Sequence, residues 1–497
     1  MPRRPEQTDP GAGGGVLLVG TGSTLGPLRA AFAAGATGER VAGEAQIGPG
    51  ASPAPAEAFA SSGADRAVVC LPAALGARAA AISAELEAAG VPTLRVAPLA
   101  EQLRAGAAGA APRGVHAPLD LAALIDRRPR PLDAGLLGPL LTGRRVLVTG
   151  AGGSIGSELC RVIAGFGPAA LVAVERSENA LFEVERELRR RWPGVPVEAV
   201  LHDVTQAERT RDLFLRVRPE VAAHAAAHKH VGMMEGHPAE AIENNLYGTR
   251  SVAAAADACG ADRLVMISTD KAVNPSSVMG ASKRLAEREV TAWSRRGRTR
   301  MCCVRFGNVL GSACSVLPIW EAQLARGGPL EVTDPRMRRY FMTIPEAAGL
   351  VLTAAALSGG GSDPVAGGET FLLDMGRPVR IVDLAERFLR QKGLEPGVDV
   401  AVRFTGARPG EKLFEELSHP RDRVVPTAHP GVRVWRTAPV PAEAERAAAA
   451  LDGLRRRAGL AAPPWRGVSP AEAAAALRAA VPEMLGPGAG VPAALAG

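Results

Sequence analysis

Asp270 and Lys271 are neighbours in the run Ser268-Thr269-Asp270-Lys271-Ala272, at the end of the apolar stretch Leu264 to Ser268. A carboxyl and an amine side by side can serve as an acid and a base in one place. Asn274-Pro275 then breaks the backbone. The pair is therefore expected on a loop at the carboxyl end of a parallel strand, where open sheets bind ligands. A surface ion pair is the plain alternative and would be worth little. Met279 and Lys283 follow four residues apart, on one face of the next helix.

A second constellation stands upstream. Gly150, Gly153 and Gly156 lie in VLVTGAGGSIG, between a short β-branched run from Val146 and a helical pattern starting near Ser157. Strand, glycine turn and helix N-terminus make a cradle for a pyrophosphate, and Ser154 and Ile155 share it. Glu175 ends the next apolar run, where an acid takes a ribose hydroxyl and repels a 2′-phosphate, whereas Arg176 would welcome one. NAD is the cofactor expected, with NADP as the alternative. Asp203, with Val204 beside it, is placed to meet an adenine ring or to cap the following helix. No metal site is expected.

These residues need elements to hold them. Apolar runs recur at Val146, Ala170, Val197, Val221, Leu264 and Met301, with helical patterns between them. That spacing predicts an α/β fold with a doubly wound parallel sheet of Rossmann type. A smaller unit precedes it, with strands at Val16 to Val19, Ala67 to Leu71 and Pro92 to Val96 and a turn at Gly20, Gly22 and Gly26. That turn could bind a nucleotide, but no well-placed acid follows, so a structural or regulatory role is favoured. The expected organisation is a disordered N-terminus over 1–14, a Rossmann-like unit over 15–110, a linker over 111–142, a catalytic domain with a substrate lobe over 143–420, and a helical extension and tail over 421–497.

The chain has 497 residues, a net charge of +7 and a pI near 9.4. Its arginines are scattered along helices rather than massed with aromatics, which argues against a nucleic-acid partner. The six cysteines form no C-x-x-C pair and read as free thiols of a reducing compartment. No leader and no membrane-spanning run is visible. The chain reads as cytoplasmic, with the inner face of the membrane as a peripheral location.

Seven stretches carry a resemblance: TGAGGSIGSE from Thr149, HAAAHKHV from His224, ENNLYGT from Glu243, STDKAVNPSSVMGASKR from Ser268, RFGNVLGS from Arg305, RYFMTIPEA from Arg339 and RPGEKLFEEL from Arg408. Together they resemble the extended short-chain dehydrogenase/reductases, and among them the nucleotide-sugar 4,6-dehydratases of the CapD/WbpM/PglF type. The resemblance implies UDP-N-acetylglucosamine as substrate, surface-polysaccharide precursors as the destination, a UDP-sugar as partner and a homo-oligomer. It implies oxidation at C4, loss of water across C5 and C6, and reduction at C6. Lys271 is then the candidate base, which requires a lowered pKa, and Asp270 the candidate acid. Lys283 would hold the nicotinamide ribose. Met279 stands where the superfamily has tyrosine and cannot exchange a proton, so Thr269 or a water must relay the C4 hydroxyl proton. Ala225 and Ala226 would leave room for the cofactor. Lys229, His230, Asn245, Asn308 and Arg408 are the substrate candidates, with capping or surface roles open for His230. Ala313-Cys314 departs from the Arg-Gly common in the family. The alternatives are a UDP-sugar 4-epimerase and a non-catalytic nucleotide-sugar sensor or scaffold.

Overall fold

The computed structural model describes residues 15–34, 39–49, 54–98, 101, 119–359, 367–408, 410–418, 423–436, 442–457, 465 and 467–484. They fall into two compact units.

The first unit gathers Met1–Leu124, Cys314–Pro335 and Ile381–Gly406. Its sheet is parallel, in the order Arg40–Ile47, Gly15–Thr21, Arg66–Cys70, Thr93–Arg95. Gly15–Thr21 is buried along its whole length, as a central parallel strand covered on both faces must be. Val16, Leu18 and Val68 pack with Leu25 and Phe32 of the helix Gly22–Ala33. In the two later segments, Leu330–Val332 pairs with Val402–Phe404. Trp320 on helix Val316–Ala325 meets Phe388 on helix Ile381–Gln391 at 5.7 Å between ring centroids.

The second unit comprises Ile125–Ala313, Arg336–Arg380 and Ala407–Gly497. Its nine-stranded sheet runs Arg423–Pro426, Val432–Arg436, Thr370–Leu373, Arg300–Arg305, Arg263–Ile267, Val221–His224, Arg145–Thr149, Ala170–Glu175, Val197–Leu201. The last seven in that order are mutually parallel, and the first two are added antiparallel. Arg145–Thr149 lies between the strand that follows it and Val221–His224, so the strand order reverses there. A ligand crevice opens at the carboxyl ends of strands at such a point.

Two expected boundaries are corrected. The helical extension expected from 421 begins instead with Arg423–Pro426 and Val432–Arg436, because their backbones complete the ladder beyond Thr370–Leu373. The substrate lobe expected wholly inside 143–420 has 314–335 and 381–406 clustered with the N-terminal sheet. The helix expected near Ser157 starts at Ser154, with Gly153 at its N-cap. The six cysteines are free thiols, with Cys259 half-buried and Cys314 exposed. Among the described residues no helix is long and apolar enough to cross a membrane.

One buried ion pair ties the sheet to the helix Val278–Arg296. Glu287 accepts from Arg305 Nε and Nη2, both at 2.6 Å, from Ser268 Oγ at 2.7 Å and from Arg284 Nη1 at 3.1 Å. The Glu287 and Arg305 side chains are each 1% exposed. Burial would raise the Glu287 carboxyl, but the arginines hold it below its ordinary value. Removing one partner leaves a buried charge unpaired, at a cost of about 3–5 kcal/mol. Glu287→Gln is therefore expected to lower the urea midpoint sharply, and the double change Glu287→Leu with Arg305→Met to recover much of the loss. An unchanged midpoint in the single variant would refute this.

Candidate active site

Strand Arg145–Thr149 ends in Gly150, whose φ of +66° suits glycine. A Cβ there would lie 2.6 Å from Ala226 N, and one at Gly156 only 2.0 Å from the Gly150 carbonyl oxygen. The turn is thus pressed against the next strand end on one side and the helix Ser154–Gly165 on the other. A cavity of about 270 Å³ adjoins it. Of the expected cofactor residues, Gly150, Gly153, Glu175, Arg176, Asp203, Val204, Ala225 and Ala226 line it. Ser154, Ile155, Gly156 and Lys283 do not: Gly156 shapes the turn from behind, and Ile155 packs on the core. The sequence reading missed Gly152, His202 and Asn244 on its wall.

Glu175 ties the turn in place. Its Oε2 accepts from Gly152 N at 3.1 Å, and its Oε1 from Arg176 N and Ser177 N at 2.9 and 3.0 Å. Asp203 lines the cavity and also closes a turn, accepting from Thr205 N and Oγ1, both at 2.9 Å. Arg176 is held at 3.3 Å from both Asn244 Oδ1 and His228 Nε2. These walls fit a dinucleotide: a cradle that a Cβ would fill, a helix N-terminus, and an acid at the end of the second strand.

The Asp270–Lys271 pair lies where the sequence implied, on a tight turn after Arg263–Ile267. Asp270 is fully buried. Its Oδ1 accepts from Thr269 Oγ1 and Lys271 Nζ, both at 2.9 Å, and its Oδ2 is buried with no partner among the described residues. Lys271 Nζ also donates to Asn308 Oδ1 at 3.2 Å and stands 4.0 Å from Glu415 Oε1. Burial alone would lower the Lys271 ammonium, but Asp270 and Glu415 outweigh it and raise its pKa above the ordinary value. The lowered pKa expected of Lys271 is thereby corrected, because two carboxylates face it rather than one.

Glu415 is the residue that sequence reasoning passed over. It sits in the matched run from Arg408, yet nothing in its spacing singled it out from Glu416. Its Oε2 is buried without a partner among the described residues, and Arg339 Nη2 lies 3.9 Å from its Oε1. Burial raises its carboxyl above the ordinary value, with Asp270 adding to the rise and Lys271, Arg339 and Lys412 opposing it.

The other expected residues divide. Lys283 is buried, and that burial brings it down to about 8. Burial, aided by Lys283, pushes nearby His224 down to about 3, and its ring bonds Thr149 Oγ1 and Thr249 Oγ1. Met279 is 3% exposed and packs with Met234, Ile242 and Leu246, so its place in the catalytic set is corrected to an apolar one. Asn245 is fully buried, and its amide bridges the His228 backbone and Ser282 Oγ. It braces the site and has no face left for a sugar. Lys229 Nζ donates to Ala313 O, whose N–H in turn donates to Ser154 Oγ. His230 is exposed at the N-cap of Val231–Gly236 but makes no capping bond there. Arg408 is exposed, and its backbone N–H donates to Glu411.

The chain is also similar to known proteins. The chain is 47% identical over 296 residues, 59% of its own length and 48% of the other's, to the capsular polysaccharide biosynthesis protein CapD of Staphylococcus aureus. It is 35% identical over 202 residues, 40% of this chain and 56% of the other, to a UDP-glucose 4-epimerase of Rickettsia typhi. It is 29% identical over 281 residues, 56% and 78% of the two, to the UDP-N-acetylglucosamine 4,6-dehydratase (inverting) of Campylobacter jejuni. The chain spans about half the length of the curated relatives it matches first. Among solved structures it is similar to Pen from Bacillus thuringiensis, at 29% identity and a TM-score of 0.53, covering 59% of this chain and 89% of that one. The family described as polysaccharide biosynthesis protein matches residues 146–437, over half of the 497 residues and the whole of the glycine turn and the buried pair, and the chain belongs to that family.

Proposed function

We propose that the chain is a nucleotide-sugar 4,6-dehydratase that uses NAD and takes UDP-N-acetylglucosamine, making precursors of a surface polysaccharide. One observation carries the reading: a buried carboxylate, an ammonium and a second buried carboxyl are gathered at Asp270, Lys271 and Glu415. Loss of water across C5 and C6 needs both an acid and a base, whereas C4 epimerisation needs no base at C5. The relative named as a 4,6-dehydratase supports it. A UDP-sugar 4-epimerase is the second reading, favoured by the relative of that name.

Gly150, Gly153, Glu175, Asp203, Val204, Ala225 and Ala226 would hold NAD, and the carboxylate of Glu175 favours it over NADP by repelling a 2′-phosphate. When held there, the nicotinamide would supply a reversible electron sink for hydride from C4 and to C6. The chain handles the protons. Asp270 Oδ2 is a free acceptor, and we assign it the C5 proton. Lys271, held protonated by its two acidic neighbours, delivers a proton to the departing C6 hydroxyl, which leaves as water; Asp270 returns its proton to C5 as C6 is reduced, and the proton released from the C4 hydroxyl replaces the one Lys271 gives up. This reverses the roles implied by the resemblance, for the reason its raised pKa gives. Thr269 Oγ1 donates to Asp270 Oδ1 and offers the C4 hydroxyl a relay. Lys283, near 8, carries a charge that changes around working pH. Asn308 and Arg408 remain the candidates for sugar and diphosphate contacts.

With NAD and UDP-N-acetylglucosamine, mass spectrometry is expected to find a 4-keto product lighter by one water. A C4 epimer of unchanged mass would favour the epimerase instead. In deuterated water, Lys271→Met should still exchange the C5 hydrogen while losing dehydration by at least about a hundredfold, and Asp270→Asn should lose both. The opposite pattern would return the base to Lys271. Met279→Leu should keep activity within about threefold of the parent, as volume-conserving core exchanges do. Glu415→Gln should abolish the acid-side inflection of kcat above the ordinary carboxylate range, since a raised carboxyl loses its proton only at higher pH. An unmoved profile would remove Glu415 from the proton path.

A further inference from the structure

The glycine turn of the first unit, Gly20, Gly22 and Gly26, has the form of a nucleotide cradle, yet the function above makes no use of it. Its surroundings are filled by the chain itself. Asp399 is 1% exposed. Its Oδ1 accepts from Ser23 N at 3.1 Å, and its Oδ2 accepts from Ser23 Oγ and from Glu395 N, both at 2.8 Å. Ser23 lies in the first turn of the helix Gly22–Ala33, where unpaired N–H groups and the helix dipole favour an anion.

Packing makes the same statement independently of the charge. A Cβ at Gly48, just past the strand Arg40–Ile47, would lie 2.7 Å from the Asp399 carbonyl oxygen, and Gly48 has a φ of +121°. A Cβ at Gly22 would lie 2.5 Å from Val398 Cγ1. Both glycines stand at the carboxyl edge of the parallel sheet, where a ligand of such a sheet is received. The occupant is itself a closed turn: Asp399 N donates to Glu395 O and Gly397 N to Val400 O, both at 2.9 Å.

We propose that this edge is a docking seat for the chain's own turn 395–399, with the Asp399 carboxylate in the position a nucleotide phosphate would take. The seat anchors the segment 381–406 and is closed to phosphorylated ligands while Asp399 is in it. The proposal does not depend on the reaction assigned above.

Hydrogen exchange of the full chain, read on the peptide covering 20–26, tests it with inorganic phosphate and ADP as probes. In the parent chain this peptide should exchange slowly and respond to neither probe. Asp399→Ala should speed it by about tenfold or more, a loss of about 1.4 kcal/mol, and millimolar phosphate should then slow it again. Ser23→Ala, which keeps the backbone N–H bond and loses only the hydroxyl, should give a smaller acceleration and serves if Asp399→Ala does not fold. Slowing of the parent peptide by phosphate or ADP would overturn the proposal, and so would unchanged exchange in both variants.

Discussion

The Lys271 carbonyl oxygen lies so close to the helix Val278–Arg296 that a Cβ at Gly280 would stand 2.2 Å from it. That approach sets the depth of the turn 270–272. It brings Asp270 under full cover, where its N–H donates to Phe306 O at 3.1 Å. It also aims Lys271 at Asn308 and Glu415. The same helix carries Lys283 two residues beyond Ala281 and Glu287 one turn further on, so one packing contact places the Asp270–Lys271 turn and the buried ion pair on one helix.

Two clusters of buried charge sit along this helix, and they differ in how far they are satisfied. Around Glu287 every carboxylate oxygen has a donor, from Arg305, Arg284 and Ser268. A saturated network of that kind holds a fold together and has nothing left to offer a substrate. Around Lys271 the carboxylates are left incomplete: among the described residues, Asp270 Oδ2 and Glu415 Oε2 are buried without partners. Such oxygens are costly unless something arrives to bond them.

The two glycine turns make a matching contrast. Both follow the first strand of a parallel sheet and open a helix. At Gly150 to Gly156 the space beyond is a cavity walled by small residues and by Glu175. At Gly20 to Gly26 the space is taken by Val398 and Asp399. The motif alone does not tell a receptive cradle from a filled one, because the filler arrives from some 370 residues further along the chain.

Local patterns in the sequence were enough for the parallel sheet, the glycine turn, the placement of Asp270 and Lys271 after their strand, and the family. Each of these rests on short-range regularity: a β-branched run, a glycine spacing, a proline that stops a helix. Only the tertiary structure decided the rest. Lys271 is raised rather than lowered because Glu415, from 144 positions away, joins the adjacent Asp270 beside it. Asn245 became a brace and Met279 a packing residue because of what the fold set against them. The units regrouped because 314–335 and 381–406 cluster with a distant sheet. Charge state, burial and domain membership depend on neighbours remote in sequence, and that is why spacing along the chain did not disclose them.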